Sequence, residues 1–227
     1  MFNKHSLIIT AVAFTGLLFS SCGGGEGGGE FDYSKDGEQT TDTMSSEARV
    51  NFGLIRANIP SPNTLTKKFS AAGFNYNKGM LNPSSKSGSY TGKYAQALNL
   101  GIFGADLGYC TSFKQSQDML EYFAVLGKLS KDVGIDAAFD PETGKQLIDN
   151  IGKSDTVEMI IDNAFDKAEK NLRSNQRVAT TCLVVTGGWV EGLYIACQNL
   201  SKAPEAKRTA ELYHDIYIHC HAFDYIF

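Results

Sequence analysis

"RVATTCLVVTGGWVEGLYIACQNL", Arg177 to Leu200, admits two readings, and the fold turns on which one holds. "TTCLVVT" is rich in β-branched residues, and Gly187-Gly188 could turn a hairpin. Against that, Val178, Cys182, Val185, Trp189, Leu193, Ala196 and Leu200 recur along one helical stripe. No polar–apolar alternation competes with the stripe, and a lone hairpin would be barely stable. The spacing predicts a helix.

The same logic extends outward from this stretch. Leu98, Ile102, Ala105 and Tyr109 set the register of a helix from about Lys93 to Lys114. Ser116 is placed to cap the next, with Leu120, Phe123, Leu126 and Leu129 inward. Asp140 before Pro141 in "FDPETGKQ" opens another, ending near Gly152. Ser154 opens one lined by Val157, Ile160, Ile161, Ala164, Phe165, Ala168 and Leu172. A last helix from about Pro204 carries Leu212 and Ile216. Upstream, Ala48, Phe52, Ile55 and Ile59 recur at helical spacing until "IPSP", where Ser61 and Pro62 start a further helix that buries Leu65, Phe69 and Ala72. Between these, "NYNKGMLNPSSKSGSYTG", Asn75 to Gly92, reads as a long loop. The expectation is an all-α chain, its antiparallel helix pairs forming a bundle or a tetratricopeptide-like helical array.

Two helices break the propensity rules. "LNLGIFGADLGYC" holds Gly101, Gly104 and Gly108, and "GGWVEGLYIA" holds Gly187, Gly188 and Gly192. An interior glycine costs about 1 kcal/mol relative to alanine. Glycines three or four apart instead clear a face for close approach of another helix backbone. That is the expectation for both segments, sharpest at the pairs Gly104/Gly108 and Gly188/Gly192.

The first residues carry an address. Lys4 precedes "LIITAVAFTGLLF", Leu7 to Phe19, which holds no charge. As a helix it rises about 20 Å, short of a hydrocarbon core of about 30 Å, so it describes a secretory signal rather than a span. The junction "FSSC", Phe19 to Cys22, resembles the lipobox of bacterial lipoproteins, with Phe19 standing where that family usually has Leu. The resemblance implies lipidation of Cys22 after cleavage. Gly23 to Glu47 then carries seven acids against one lysine and hardly any apolar residue, so it cannot offset the entropy of ordering. The division that follows is a signal peptide at 1–21, a lipidated cysteine and tether at 22–45, and one α-helical domain at 46–227. The tail "YHDIYIHCHAFDYIF", Tyr213 to Phe227, stops abruptly, as a truncated or shifted reading frame would.

The blocks "IPSP", "LNP…ALNLGIFGADLGY" and "GGWVEGLYIA" resemble those of a family of small exported helical lipoproteins of Bacteroidota. With their spacing they cover most of residues 59–200. The family has no established activity, so the resemblance carries over no site residues. It implies a cell-envelope address, lipid-anchored at the outer membrane, with the face left open.

Composition narrows the chemistry. With 21 Lys and Arg against 25 Asp and Glu, the chain has a formal net charge of −4 and no basic cluster, which argues against nucleic acid. The histidines His214, His219 and His221 gather with Asp215 and Cys220 in the tail, but His219 and His221 point oppositely on a helix, so no metal site is expected. No serine sits in a GxSxG setting, and His5 leaves with the signal. Cys110, Cys182, Cys197 and Cys220 lie among apolar neighbours and read as buried thiols, with disulfides left open; Cys182 and Cys197 on one helix are too far apart to bridge. Asp106 and Asp140 read as solvated or capping acids. The expectation is a non-enzymatic binding or scaffolding module without cofactor, docking an envelope protein. The alternative is a glycan- or metabolite-binding accessory lipoprotein, which an exposed Trp189 beside tyrosines would favour.

Overall fold

The computed structural model of the chain describes residues 62–221, apart from 175–176 and 204–206. The signal, Cys22, the tether and the helix expected from Ser46 lie outside the described residues. Within them run α1 (Pro62–Ala71), α2 (Lys93–Ser112), α3 (Ser116–Val133), α4 (Pro141–Asp149), α5 (Ser154–Ser174), α6 (Val178–Ser201) and α7 (Lys207–His221). Short 3-10 helices η1 (Lys78–Met80), η2 (Ser84–Ser89) and η3 (Asp136–Ala138) punctuate the connections. No strand occurs among the described residues, and the helices pack as an all-α bundle. Arg177 to Leu200 is helical from Val178 onward, so the periodicity outweighs the β-branched run.

Local signals explain most boundaries. Pro62 begins α1, as its missing N–H allows. Gly73, at φ 73°, ends it: the Phe74 amide reaches back to the Phe69 carbonyl at 3.2 Å, and the two rings meet edge-on at 5.3 Å. That is a Schellman close with its apolar contact. The Asp140 carboxylate accepts from the Thr143 amide at 2.7 Å and caps α4. Ser116 is not a cap. It is the first residue of α3, behind Gln115, which makes no side-chain cap bond. The Asn75–Gly92 loop is less irregular than expected, because η1 and η2 lie inside it.

The centre of the bundle is α2. Leu100, Phe103, Ala105, Leu107, Tyr109 and Cys110 are all buried, so this helix is enclosed nearly all round rather than on one stripe. Its antiparallel neighbour is α3, where Phe103 meets Tyr122 and Tyr76 bridges Cys110 to Asp118. Its closest neighbour is α6, with three helices between them in sequence. The two run parallel, since Gly101 lies against Gly188 and, further along both, Tyr109 interacts with Asn199. A parallel, non-consecutive central pair belongs to a bundle rather than to a repeat array.

Glycine makes that pair possible. A Cβ on Gly101 would lie 1.9 Å from the Val184 carbonyl oxygen, and one on Gly187 would lie 2.0 Å from that of Leu98. Backbone rests on backbone here. The closest approach therefore falls at Gly101 and Gly187. A Cβ on Gly104 would meet a side chain, the Phe165 ring, at 3.1 Å.

Candidate functional site

Two features stand out once the helices are placed. One is a groove at the edge of the bundle, the other a pair of acids at its centre.

The groove lies between α3, η3 and α4 and encloses about 560 Å³. Leu120, Phe123, Phe139 and Ile148 supply its apolar walls. Phe139 is wedged edge-on between Phe123 and Phe165, at 5.9 and 5.4 Å, so the wall is anchored in the core. Small residues keep it open: Ala124, Gly127, Ala137 and Gly144 line it. Lys131, Asp136 and Lys145 stand exposed around it, and the Ile148 side chain is 59% exposed. An apolar concavity with a mixed-charge rim suits an apolar segment rather than a polar solute.

The acid pair is Asp106 on α2 and Glu191 on α6. Asp106 is fully buried and Glu191 is 8% exposed, so the solvated or capping role expected of Asp106 does not hold. Asp140 does cap, but Asp106 faces a second acid. The segment from Phe74 to Gly92 reaches them from above. Tyr76 stacks on Tyr109 at 5.3 Å and donates to Asp118 at 2.6 Å, while Lys78 pairs with Asp118 and Glu121. Ser84 also donates to Glu121. So fastened, Asn82 donates to Asp106 Oδ2 from both its backbone and its side-chain nitrogen, each at 3.3 Å. Tyr122 holds the Asn82 carbonyl at 2.7 Å.

One oxygen of each acid, Asp106 Oδ1 and Glu191 Oε1, is buried without a hydrogen-bond partner. Five other buried or half-buried polar side chains of these helices are satisfied locally. Asn99, Thr111 and Ser112 on α2, and Thr181 and Asn199 on α6, donate to the carbonyl four residues back. An ionised carboxylate has no proton to donate and cannot do this. Burial pushes the Asp106 carboxyl up to about 8, reinforced by the Glu191 charge and opposed by the Asn82 hydrogen bonds. Burial also raises Glu191, again opposed by Asn82.

The other sequence candidates fall elsewhere. Trp189 is 4% exposed, on the buried side as its stripe required, so it presents no platform to a glycan. Exposed tyrosines occur at Tyr194 on α6 and at Tyr213 and Tyr217 on α7. His214 is exposed, and Asp215 pairs with Lys68 of α1. The side chains of His219, Cys220 and His221 lie outside the described residues. No cluster of three or more His, Cys, Asp or Glu poised for a metal occurs among the described residues. The expected set of buried thiols needs correcting. Cys110 is a buried free thiol whose pKa burial pushes up to about 12, but Cys182 is half-buried and Cys197 is exposed. Cys197 sits on the outer face of α6 with Val190 and Tyr194, because the α2 contact turns the glycine face inward. By length and composition Ala179–Ser201 could cross a membrane, with mean hydropathy 1.2, and a core helix packed through its glycines meets the same test.

No protein-family model, curated protein or solved structure matches this chain.

Proposed function

We propose that the chain is a lipid-anchored envelope protein whose helical domain is a non-enzymatic binding or scaffolding module. In this reading Cys22 carries the lipid, residues 23–45 form the tether, and the groove beside Phe123 and Phe139 docks an apolar segment of an envelope protein. The likeness to exported helical lipoproteins of Bacteroidota supports the address on sequence blocks alone. The observation that carries the binding role is the groove itself. An open apolar trough costs a lone domain solvation, and a partner's apolar side chains would recover it at about 25 cal/mol per Å² buried. The glycan alternative loses its tryptophan, since Trp189 is buried.

The test places a photo-crosslinking residue at Ile148 and, as a control, at exposed Lys170 of α5, in intact cells. A discrete protein adduct at Ile148 and none at Lys170 is expected. The same adducts at both positions, or none at Ile148, overturns the docking role. Cys22→Ser should move the protein from the membrane to the soluble fraction; if it stays on the membrane, the anchor assignment fails.

A further inference from the structure

We propose that Asp106 and Glu191 form a proton-binding site at the α2–α6 contact, whose loss of a proton loosens that contact. This goes beyond the docking role and does not depend on it.

Two carboxylates removed from water must be neutralised by a cation, by hydrogen-bond donors or by protons. Among the described residues no lysine or arginine acts on either acid. α6 contributes Glu191 itself, and the Phe74–Gly92 segment contributes the neutral Asn82. α3 contributes the Tyr122 hydroxyl, and the same helix's Asp118 and Glu121 are already engaged by Lys78. α2 contributes the Cys110 thiol, and α5 faces this stretch of α2 with the Phe165 ring at Gly104. Among the described residues the donor is Asn82, which reaches Asp106 Oδ2 and leaves Oδ1 bare.

A proton answers both deficits. It removes one charge from the pair and turns a bare oxygen into a donor, the role that Thr111 and Asn199 fill for themselves nearby. Burial and mutual repulsion both favour the neutral form of Asp106, which keeps its proton up to about pH 8. Because the two acids interact, their protons leave in two steps whose apparent pKa values belong to the pair. When Asp106 ionises, like charges face each other one turn beyond the Gly101–Gly187 contact, where the backbones have no slack.

The sign follows from linkage. An acid whose folded pKa lies above its unfolded value of about 3.9 stabilises the fold fully below that value, and the stability is lost as pH rises through the folded pKa. The test measures thermal and denaturant unfolding of the full-length protein across that range, for wild type, Asp106→Asn and Glu191→Gln. Relative to Asp106→Asn, the wild-type folding constant should fall by up to tenfold per pH unit until about pH 8 and then level off. Hydrogen exchange should show α2 and α6 amides opening first as pH rises. Parallel pH profiles for wild type and Asp106→Asn overturn the proposal. So does a rise in wild-type stability with added calcium or magnesium that Asp106→Asn abolishes, since the occupant is then a metal cation. If Asp106→Asn fails to fold, infrared spectroscopy of the wild type decides: a buried protonated-carboxyl band below about pH 8 supports the site, and its absence overturns it.

Discussion

Along the α2–α6 contact a single methyl group has nowhere to go, whereas along α3 and α4 it nearly fits. At Gly101 and Gly187 an added Cβ would sit within about 2 Å of a carbonyl oxygen, at 1.9 and 2.0 Å. At Gly127 and Gly144 the corresponding distances are 3.2 Å to the Phe139 carbonyl and 3.3 Å to the Phe123 ring. The first region is backbone locked on backbone, and neither side can yield without moving a helix. The second meets one carbonyl and one ring at distances that a shift of a few tenths of an ångström relieves, and it leaves a groove. The same residue type thus does two jobs. Rigidity sits at the centre with the acids, and adaptability sits at the edge where a partner would dock.

The largest expected effect tests the rigid side. Gly101→Ala and Gly187→Ala each improve helix propensity by about 1 kcal/mol. Each also inserts an atom at an impossible distance from a carbonyl, and such overpacking typically costs about 1–3 kcal/mol and occasionally more. Because backbone and not a side chain must shift, the upper end applies. A net loss of about 2 kcal/mol or more should lower the melting temperature by at least about 4–8 °C. Scanning calorimetry checks it, and a rise at either site would mean that the two helices do not touch through their glycines.

How much of this could be read from the chain depends on what kind of signal each part leaves. Helices announce themselves through period, so Val178–Ser201 emerges despite its β-branched run. The Asp140 cap is equally visible, because capping is a local bond within one short stretch. The glycine contact is half visible: spacing shows that a face has been cleared, but the helix that fills it comes from a non-consecutive pairing. Hence the backbone contact centres on Gly101 and Gly187, and Gly104 meets a ring. The acid pair escapes because Asp106 and Glu191 lie far apart in the chain and meet only after α2 and α6 cross. A signal was present all the same. Glu191 is the one charged residue in α6, and Asp106 shares α2 with only Lys93 at its start. A solitary acid in an apolar, glycine-rich helix marks a buried group. The groove leaves no such mark, because concavity depends on η3 folding back across α3.

A middle-sized effect separates local from tertiary stabilisation on the groove side. Asp140→Ala removes the α4 cap and should cost about 1 kcal/mol near neutral pH. Hydrogen bonds from the Thr143 amide and hydroxyl hold the Asp140 carboxyl below its ordinary value. An acid with a depressed folded pKa stabilises above its unfolded pKa and loses that contribution as pH falls through the folded one. The gap between wild type and Asp140→Ala should therefore close in acid, opposite in sign to the Asp106 effect. Denaturant titrations at neutral and acidic pH measure both. A gap that persists unchanged in acid would show that α4 is held by packing and that the carboxylate contributes little.

The smallest effect uses a glycine that has neither job. Gly152 lies in the exposed turn between α4 and α5, where an added Cβ meets nothing within 4 Å. Its φ is not in the left-handed region, so alanine fits the backbone as it stands. With no native contact to lose, the change acts through the unfolded chain, which has fewer conformations to surrender on folding. Substitutions of this kind stabilise by about 0.4–1 kcal/mol. For a domain of this size that raises the melting temperature by about 1–4 °C. Gly152→Ala and Gly101→Ala are then the same chemical change with opposite signs, and the difference between them measures the space denied at the α2–α6 contact. If both lower the melting temperature equally, lack of room is not what distinguishes the two positions, and the contrast between the rigid centre and the adaptable edge fails with it.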